Sequence, residues 1–224
     1  DRRQRQMCIR DRDNMNILAH RGLWKTPEEK NKMFSIERAF ASGFGVETDL
    51  RDYDGTLVIS HDIADAGCCR AEELFKSYRD SGSHSILALN VKADGIQILL
   101  KPLLEKYQIK KCFLFDMSIP ELVVNARESL PFYTRHSDIE NECVMYEMAK
   151  GVWLDSFYDK CWLTRDIIGR HLMNNKELCI VSPELHGYAY EPTWKMLKDN
   201  FYHESGLISL CTDEPNKAKE FFYA

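Results

Sequence analysis

At 224 residues, 44% of them hydrophobic, the chain is long enough for one domain with a large core. Its net charge of −5 implies no basic face and argues against a nucleic-acid partner. No apolar run reaches the roughly 18 residues of a membrane span, and the first residues lack a basic-then-apolar secretion pattern.

Residues 1–14 are strongly charged and carry no apolar periodicity, so they are expected to form a tail outside the fold. The run Arg2 to Arg12 resembles translated adapter or vector sequence. From residue 15 to 224 short apolar runs alternate with amphipathic stretches. The expected strands are 16–20, 45–50, 86–91, 112–116, 131–134, 151–155, 178–182 and 207–211. Helical spacing falls at 33–42, 96–107, 119–128, 138–149, 164–174, 188–199 and 215–222. Eight strands alternating with helices predict an α/β fold, a single TIM (β/α)8 barrel over residues 15–224. An Asp54-Gly55 pair after the second strand signals a hairpin that returns the chain to His61.

In such a barrel the active site lies at the C-terminal ends of the strands. All eight expected strands end in polar groups, among them Asp116, Arg135, Asp155, Glu184, His186 and Asp213. Glu47 and Asp49 are two apart in an extended run, which puts both on one face of the sheet. Two carboxylates that close repel unless a cation lies between them, and an oxygen-only pair suits Mg²⁺ or Ca²⁺ better than zinc. A salt bridge to Arg21, Arg51 or Lys92 is the alternative. His20 and His61 bracket the pair and have the chemistry of a general acid and base. Arg21 can orient a carboxylate or a phosphate oxygen through its planar fork. Trp153 and Trp194 are either core residues or platforms for a sugar or headgroup.

The eight cysteines contain no C-x-x-C pair, so zinc is not expected. Cys112, Cys179 and Cys211 lie inside apolar strands and read as core thiols of a reducing, cytoplasmic compartment. His84, His136, His171 and His203 have no convincing partners along the chain.

His20-Arg21-Gly22, Glu47-x-Asp49, Asp54-Gly55 and Ser60-His61-Asp62, in this order, resemble the glycerophosphodiester phosphodiesterases. Asn31 looks like the asparagine that follows the H-R-G of that family. The resemblance is close over residues 16–62 and thins to strand-end matches beyond. It implies a metal-dependent phosphodiester hydrolase on a TIM barrel, with His20 and His61 catalytic and Glu47 and Asp49 on the metal. Its substrate would be a small phosphodiester or lipid headgroup. Where the family's third strand reads E-x-K, this chain has Asn90-Val91-Lys92. Asn90 then stands at the third metal position with only a neutral oxygen. Either metal affinity is weaker, or Asp116 or Glu184 supplies the missing charge. Lys92 is retained as a phosphate contact, and Arg135 and Glu184 are further candidates for substrate binding. A sphingomyelinase D-like or phospholipase-type enzyme, or a silent phosphate-binding barrel, are the rival readings. No sizeable insertion follows His61, so an open mouth is expected.

Overall fold

The computed structural model describes residues 14–224. Residues 1–13 of the expected tail, Cys8 among them, lie outside the described residues. At Met15 the chain is already packed: the residue is 3% exposed, and its N–H donates to the His203 carbonyl at 2.9 Å.

The first half runs β1 (Asn16–His20), α1 (Met33–Ala41), β2 (Gly45–Tyr53), β3 (Thr56–Ile59), β4 (Cys69–Arg70), α2 (Ala71–Asp80), β5 (Leu87–Val91) and α3 (Gln97–Lys106). The second runs β6 (Cys112–Phe115), α4 (Ile119–Arg127), β7 (Tyr133–Ser137), β8 (Gly151–Asp155), α5 (Arg165–Met173), β9 (Glu177–Val181), α6 (Glu191–Asp199), β10 (Ile208–Thr212) and α7 (Pro215–Tyr223). Parallel pairing joins β6-β5-β2-β1-β10-β9-β8-β7. The ring closes between β6 and β7 through a Leu114–Phe132 bridge, with the Leu114 N–H donating to the Pro131 carbonyl at 2.9 Å. This is the eight-strand barrel that the strand pattern predicts.

Side chains alternate across each strand. The outward series packs under the helices in one large core that includes Ile17, Val46, Leu89, Leu114, Val152, Ile180 and Leu210. The inward series fills the barrel with Leu18, Ala88, Phe113, Phe115, Tyr133, Trp153, Cys179, Val181 and Cys211. Phe113 stacks on Tyr133 at 3.7 Å between ring centroids, and Phe115 on Trp153 at 3.8 Å. Trp153 and Trp194 are 5% and 1% exposed, so both are core residues and neither is a platform for ligand.

Three departures from the expected elements have physical causes. β2 runs past Leu50 to Tyr53 because it pairs antiparallel with β3, outside the barrel. Asp54 (φ 47°) and Gly55 (φ 68°) both take the left-handed turn that such a two-residue hairpin requires. The expected helix over 138–149 does not form. Its first residues are used for side-chain capping: the Ser137 hydroxyl accepts from the N–H groups of Ile139 and Glu140. The Asp138 carboxylate accepts from those of Phe157, Tyr158 and Asp159. Conversely, α2 was not among the expected helices, although it buries Ala71, Leu74, Phe75 and Tyr78 at helical spacing.

Candidate active site

Register brings the predicted residues into one row. His20 pairs with Glu47 across β1 and β2, and Asp49 with Asn90 across β2 and β5. All four continue the inward series above the aromatic floor, at the end of the barrel where the parallel strands finish.

His20 is the best-oriented group. Its Nδ1 lies 2.6 Å from Asp213 Oδ1, just past β10, and its Nε2 lies 3.8 Å from Glu47 Oε2. Lys30 Nζ holds the other Asp213 oxygen at 3.3 Å. Burial lowers the His20 pKa by more than the Asp213 hydrogen bond raises it. Burial would raise Asp213, but its bond to His20 and the His20 and Lys30 charges outweigh that and hold it below the usual carboxylate range. A neutral imidazole beside an ionised carboxylate donates its Nδ1–H. The Nε2 lone pair is then left facing the mouth.

Glu47 and Asp49 are 2% and 0% exposed. Asp49 Oδ2 accepts from Asn31 Nδ2 at 2.9 Å, and Thr48 Oγ1 donates to Asn31 Oδ1 at 2.8 Å, so Asn31 clamps the strand-end carboxylate. Asn31 and Arg21 both adopt left-handed backbone (φ 60° and 58°), and the Asn31 N–H donates to the Arg21 carbonyl at 2.9 Å. Gly22 (φ 93°) completes that bend, where a Cβ would come within 2.7 Å of Ser35 Oγ. Arg21 Nε is 3.0 Å from Asp49 Oδ2 but lacks hydrogen-bond alignment, so the contact is an ion pair. Lys92 Nζ lies 3.5 Å from Asp49 Oδ1 and 4.0 Å from Asp116 Oδ2.

Three buried oxygens in this row have no hydrogen-bond donor: Glu47 Oε2, Asp49 Oδ1 and Asn90 Oδ1. Asn90 is oriented by its amide nitrogen, which donates to Asp116 Oδ2 at 3.1 Å. Of the two carboxylates expected to make up the missing charge, Asp116 therefore stands beside Asn90. Glu184 does not: its oxygens accept from the Ser182 and Thr212 hydroxyls and, at 3.1 Å, from the Asp213 N–H. It braces the loops after β9 and β10. Arg135 is likewise engaged, with Asp116 at 2.9 Å and with Glu140.

His61 is placed differently from His20. It follows β3 at the rim, its side chain is 44% exposed, and its Nδ1 lies 2.8 Å from Asp62 Oδ1. Asp62 is held low by its bond to His61, and the Arg51 guanidinium donates to the His61 carbonyl at 3.2 Å. Opposite, His186 Nε2 lies 2.6 Å from Asp155 Oδ1, and that bond raises the His186 pKa. The partnerships of Asp213, Lys30 and Asp116 escape a reading of the sequence. Asp213 and Asp116 signal themselves only by position at or beside a strand end, Lys30 in the connection after β1 not at all, and the partners are as far as 193 residues apart.

No protein-family signature and no curated protein matches the chain. Solved structures do. A glycerophosphodiester phosphodiesterase from Parabacteroides distasonis superposes with a TM-score of 0.67 at 17% identity, covering 94% of this chain and 98% of that one. One from Agrobacterium tumefaciens gives 0.65 at 13%, covering 90% and 97%. An Oleispira antarctica phosphodiesterase, in complex with the product sn-glycerol-3-phosphate, gives 0.68 at 14%, covering 94% and 98%. The chain has the barrel fold of glycerophosphodiester phosphodiesterases. At these identities the superposition establishes architecture; the chemistry rests on the strand-end residues.

Burial first, and then the Asp49 charge, push Glu47 well above the usual carboxylate range, while Arg21 and Lys92 oppose this. A carboxyl whose folded pKa is raised contributes stability below its unfolded value and loses it as pH rises through the folded value. A divalent cation relieves the ionised form. If the site takes the cation, the rise in Tm on adding Mg²⁺ or Ca²⁺ is therefore expected to be smaller at acidic than at alkaline pH. Glu47→Gln should flatten that dependence. Equal shifts at acidic and alkaline pH in the unsubstituted protein would contradict it.

Proposed function

We propose that this chain is a metal-dependent phosphodiester hydrolase that cleaves a glycerophosphodiester-like substrate by histidine acid–base catalysis. The observation that carries the reading is the His20–Asp213 pair set beside three buried oxygens on Glu47, Asp49 and Asn90 that accept no hydrogen bond. Oxygen-only donors of this kind fit a hard divalent cation, Mg²⁺ or Ca²⁺. Glu47, Asp49 and Asn90 would hold it. When bound, it neutralises charge that develops on the phosphate oxygens.

The protein's own groups do the rest. Arg21 and Lys92 bind the phosphate oxygens beside Asp49. Asp213 holds His20 in the tautomer whose Nε2 takes the proton from the attacking hydroxyl, supplied by water or by a neighbouring group of the substrate. His61, at the rim, protonates the leaving alkoxide. Arg135 and His186 line the side away from His61 and contact the remainder of the substrate. The short connections around the mouth suit a headgroup attached to a bulkier body. Unpaired thiols buried in the strands support a cytoplasmic location.

The test is release of nitrophenol from bis(p-nitrophenyl) phosphate, then of glycerol phosphate from glycerophosphodiesters, during a Mg²⁺ or Ca²⁺ titration. Activity should vanish on chelation and return with the ion. Phosphate-ligand binding without turnover would instead identify a silent barrel.

A further inference from the structure

A second group of chemistry-bearing side chains lies behind the barrel wall, away from the mouth. His136 alternates with the inward Arg135 on β7 and so faces α5. His171 comes from α5, and Cys143 from the connection between β7 and β8. One donor atom from each falls within 4.8 Å of the others. His136 Nδ1 is 2.9 Å from His171 Nε2, and His171 Nδ1 is 2.8 Å from Tyr146 Oη. The two imidazoles are 6% and 3% exposed, and Cys143 is half-buried.

We propose that His136, Cys143 and His171 form a site for a zinc-like, thiolate-binding metal ion that staples the 138–149 segment to α5. The donor set is the first argument. One sulfur and two imidazole nitrogens select zinc or a similar borderline-soft ion, whereas Mg²⁺ and Ca²⁺ require oxygen. Geometry is the second. At Zn–N distances of about 2.0–2.1 Å, two tetrahedral nitrogen ligands stand about 3.3 Å apart. The present 2.9 Å separation reaches that with small side-chain rotations.

The third argument is the outer partner. A metal-bound imidazole is oriented by the hydrogen bond at its other nitrogen. Tyr146 Oη occupies that position on His171, leaving Nε2 for the ion. On binding, His171 carries its proton on Nδ1 and donates it to Tyr146 Oη. His136 carries its own on Nε2. One proton leaves, from the Cys143 thiol. Burial and then the Glu140 charge push the Cys143 thiol up to about 11, with the Arg170 charge opposing them, so the bound ion itself has to drive the proton off. The partly open side at Cys143 admits the ion and a water as fourth ligand.

The consequence reaches the mouth. The segment that the ion would pin carries Glu140, the partner of Arg135. Absence of C-x-x-C spacing argues against zinc along the sequence, but these three donors are brought together by a strand, a loop and a helix.

Chelator-stripped protein titrated with Co²⁺ tests the site without any activity assay. One equivalent should develop a thiolate-to-cobalt charge-transfer band and tetrahedral d–d bands, and zinc should bleach both. Cys143→Ser should lose the charge-transfer band while its circular dichroism stays unchanged. His171→Ala should lose it too, and if that variant fails to fold, Cys143→Ser alone decides. A Glu47→Gln/Asp49→Asn double variant should keep the bands, which separates this site from the one proposed at the mouth. Absence of a thiolate band in the unsubstituted protein, or its persistence in Cys143→Ser, overturns the proposal.

Discussion

His20→Ala is expected to lower kcat for a glycerophosphodiester by 10²–10⁴-fold, about 3–5 kcal/mol of transition-state stabilisation. The reason is that one imidazole holds the only base in the row with both a fixed tautomer and an open lone pair. Asp213 and Lys30 fix the ring from one side at 2.6 and 3.3 Å, and Glu47 faces Nε2 from the other. KM should change little, because the proposed phosphate contacts, Arg21 and Lys92, are left in place. Asp213→Asn provides the sharper comparison. An amide can donate to Nδ1, which moves the imidazole proton to Nε2 and blocks the base without removing it. A loss in that variant approaching that of His20→Ala, with an unchanged melting curve, separates tautomer control from packing. Full activity in His20→Ala sinks the mechanism. His61→Ala should also lower kcat, and with a slow-leaving alcohol more than with nitrophenol, since a good leaving group needs no acid.

The acid limb of the rate profile follows from the same ring. Burial holds the His20 pKa below its ordinary 6.5. The unprotonated base should therefore persist below that pH, and the rate should fall only as pH drops through the lowered value. In Asp213→Asn the raising influence of the carboxylate is gone, so any residual activity should hold to still lower pH. An acid limb centred above 6.5 would contradict the neutral ring.

Much of this site was legible because strands have a period of two. Once Glu47 and Asp49 are placed in an extended run, both face inward, and His20 and Asn90 follow from being strand ends in the same barrel. The barrel itself was readable from alternation, since each strand core is a short apolar run. What could not be read is which strand-end group meets which. Asp213 closes on His20 only because β10 lies beside β1 in the ring, a fact of topology and not of local pattern. Asp116 reaches Asn90 for the same reason, through β5 and β6. The failed helix at 138–149 has a different origin. Its apolar spacing is helical, but the Ser137 N–H donates forward to the Glu140 carbonyl at 3.2 Å, a reversed turn where the helix would begin, and Thr134 Oγ1 ties the Val144 carbonyl to β7 at 2.7 Å. Tertiary polar contacts there outweigh a propensity worth tenths of a kcal/mol per residue. Cys143 and His171 are brought together by the resulting loop, so the same contacts that defeat the local reading also create the buried His–Cys–His group.

Trp153→Ala is expected to cost about 3–5 kcal/mol, the usual range for truncating a large aromatic in a core. For a chain of this size that corresponds to a fall in Tm of roughly 6–20 °C. The argument lies in how the barrel is filled. On one side of the interior the inward positions are aliphatic or small, with Leu18, Ala88, Cys179, Val181 and Cys211; on the other they are Phe113, Phe115, Tyr133 and Trp153. The Trp153 ring lies on Phe115 at 3.8 Å and 18° and within 6.4 Å of Phe113. The stacked rings on either side are held by their own packing, so the space left by the indole closes only in part. Trp153 also supports the mouth directly. Asp155, the partner of His186, is the next inward residue on the same strand. Loss of the indole should therefore lower activity at temperatures where the variant is still folded, while Trp153→Phe should keep most of the stability. A drop in Tm of only a degree or two for Trp153→Ala would mean that the aromatic half of the interior is not a packed floor. The rigidity on which the His20–Glu47–Asp49–Asn90 row depends would then have to come from the outer helices instead.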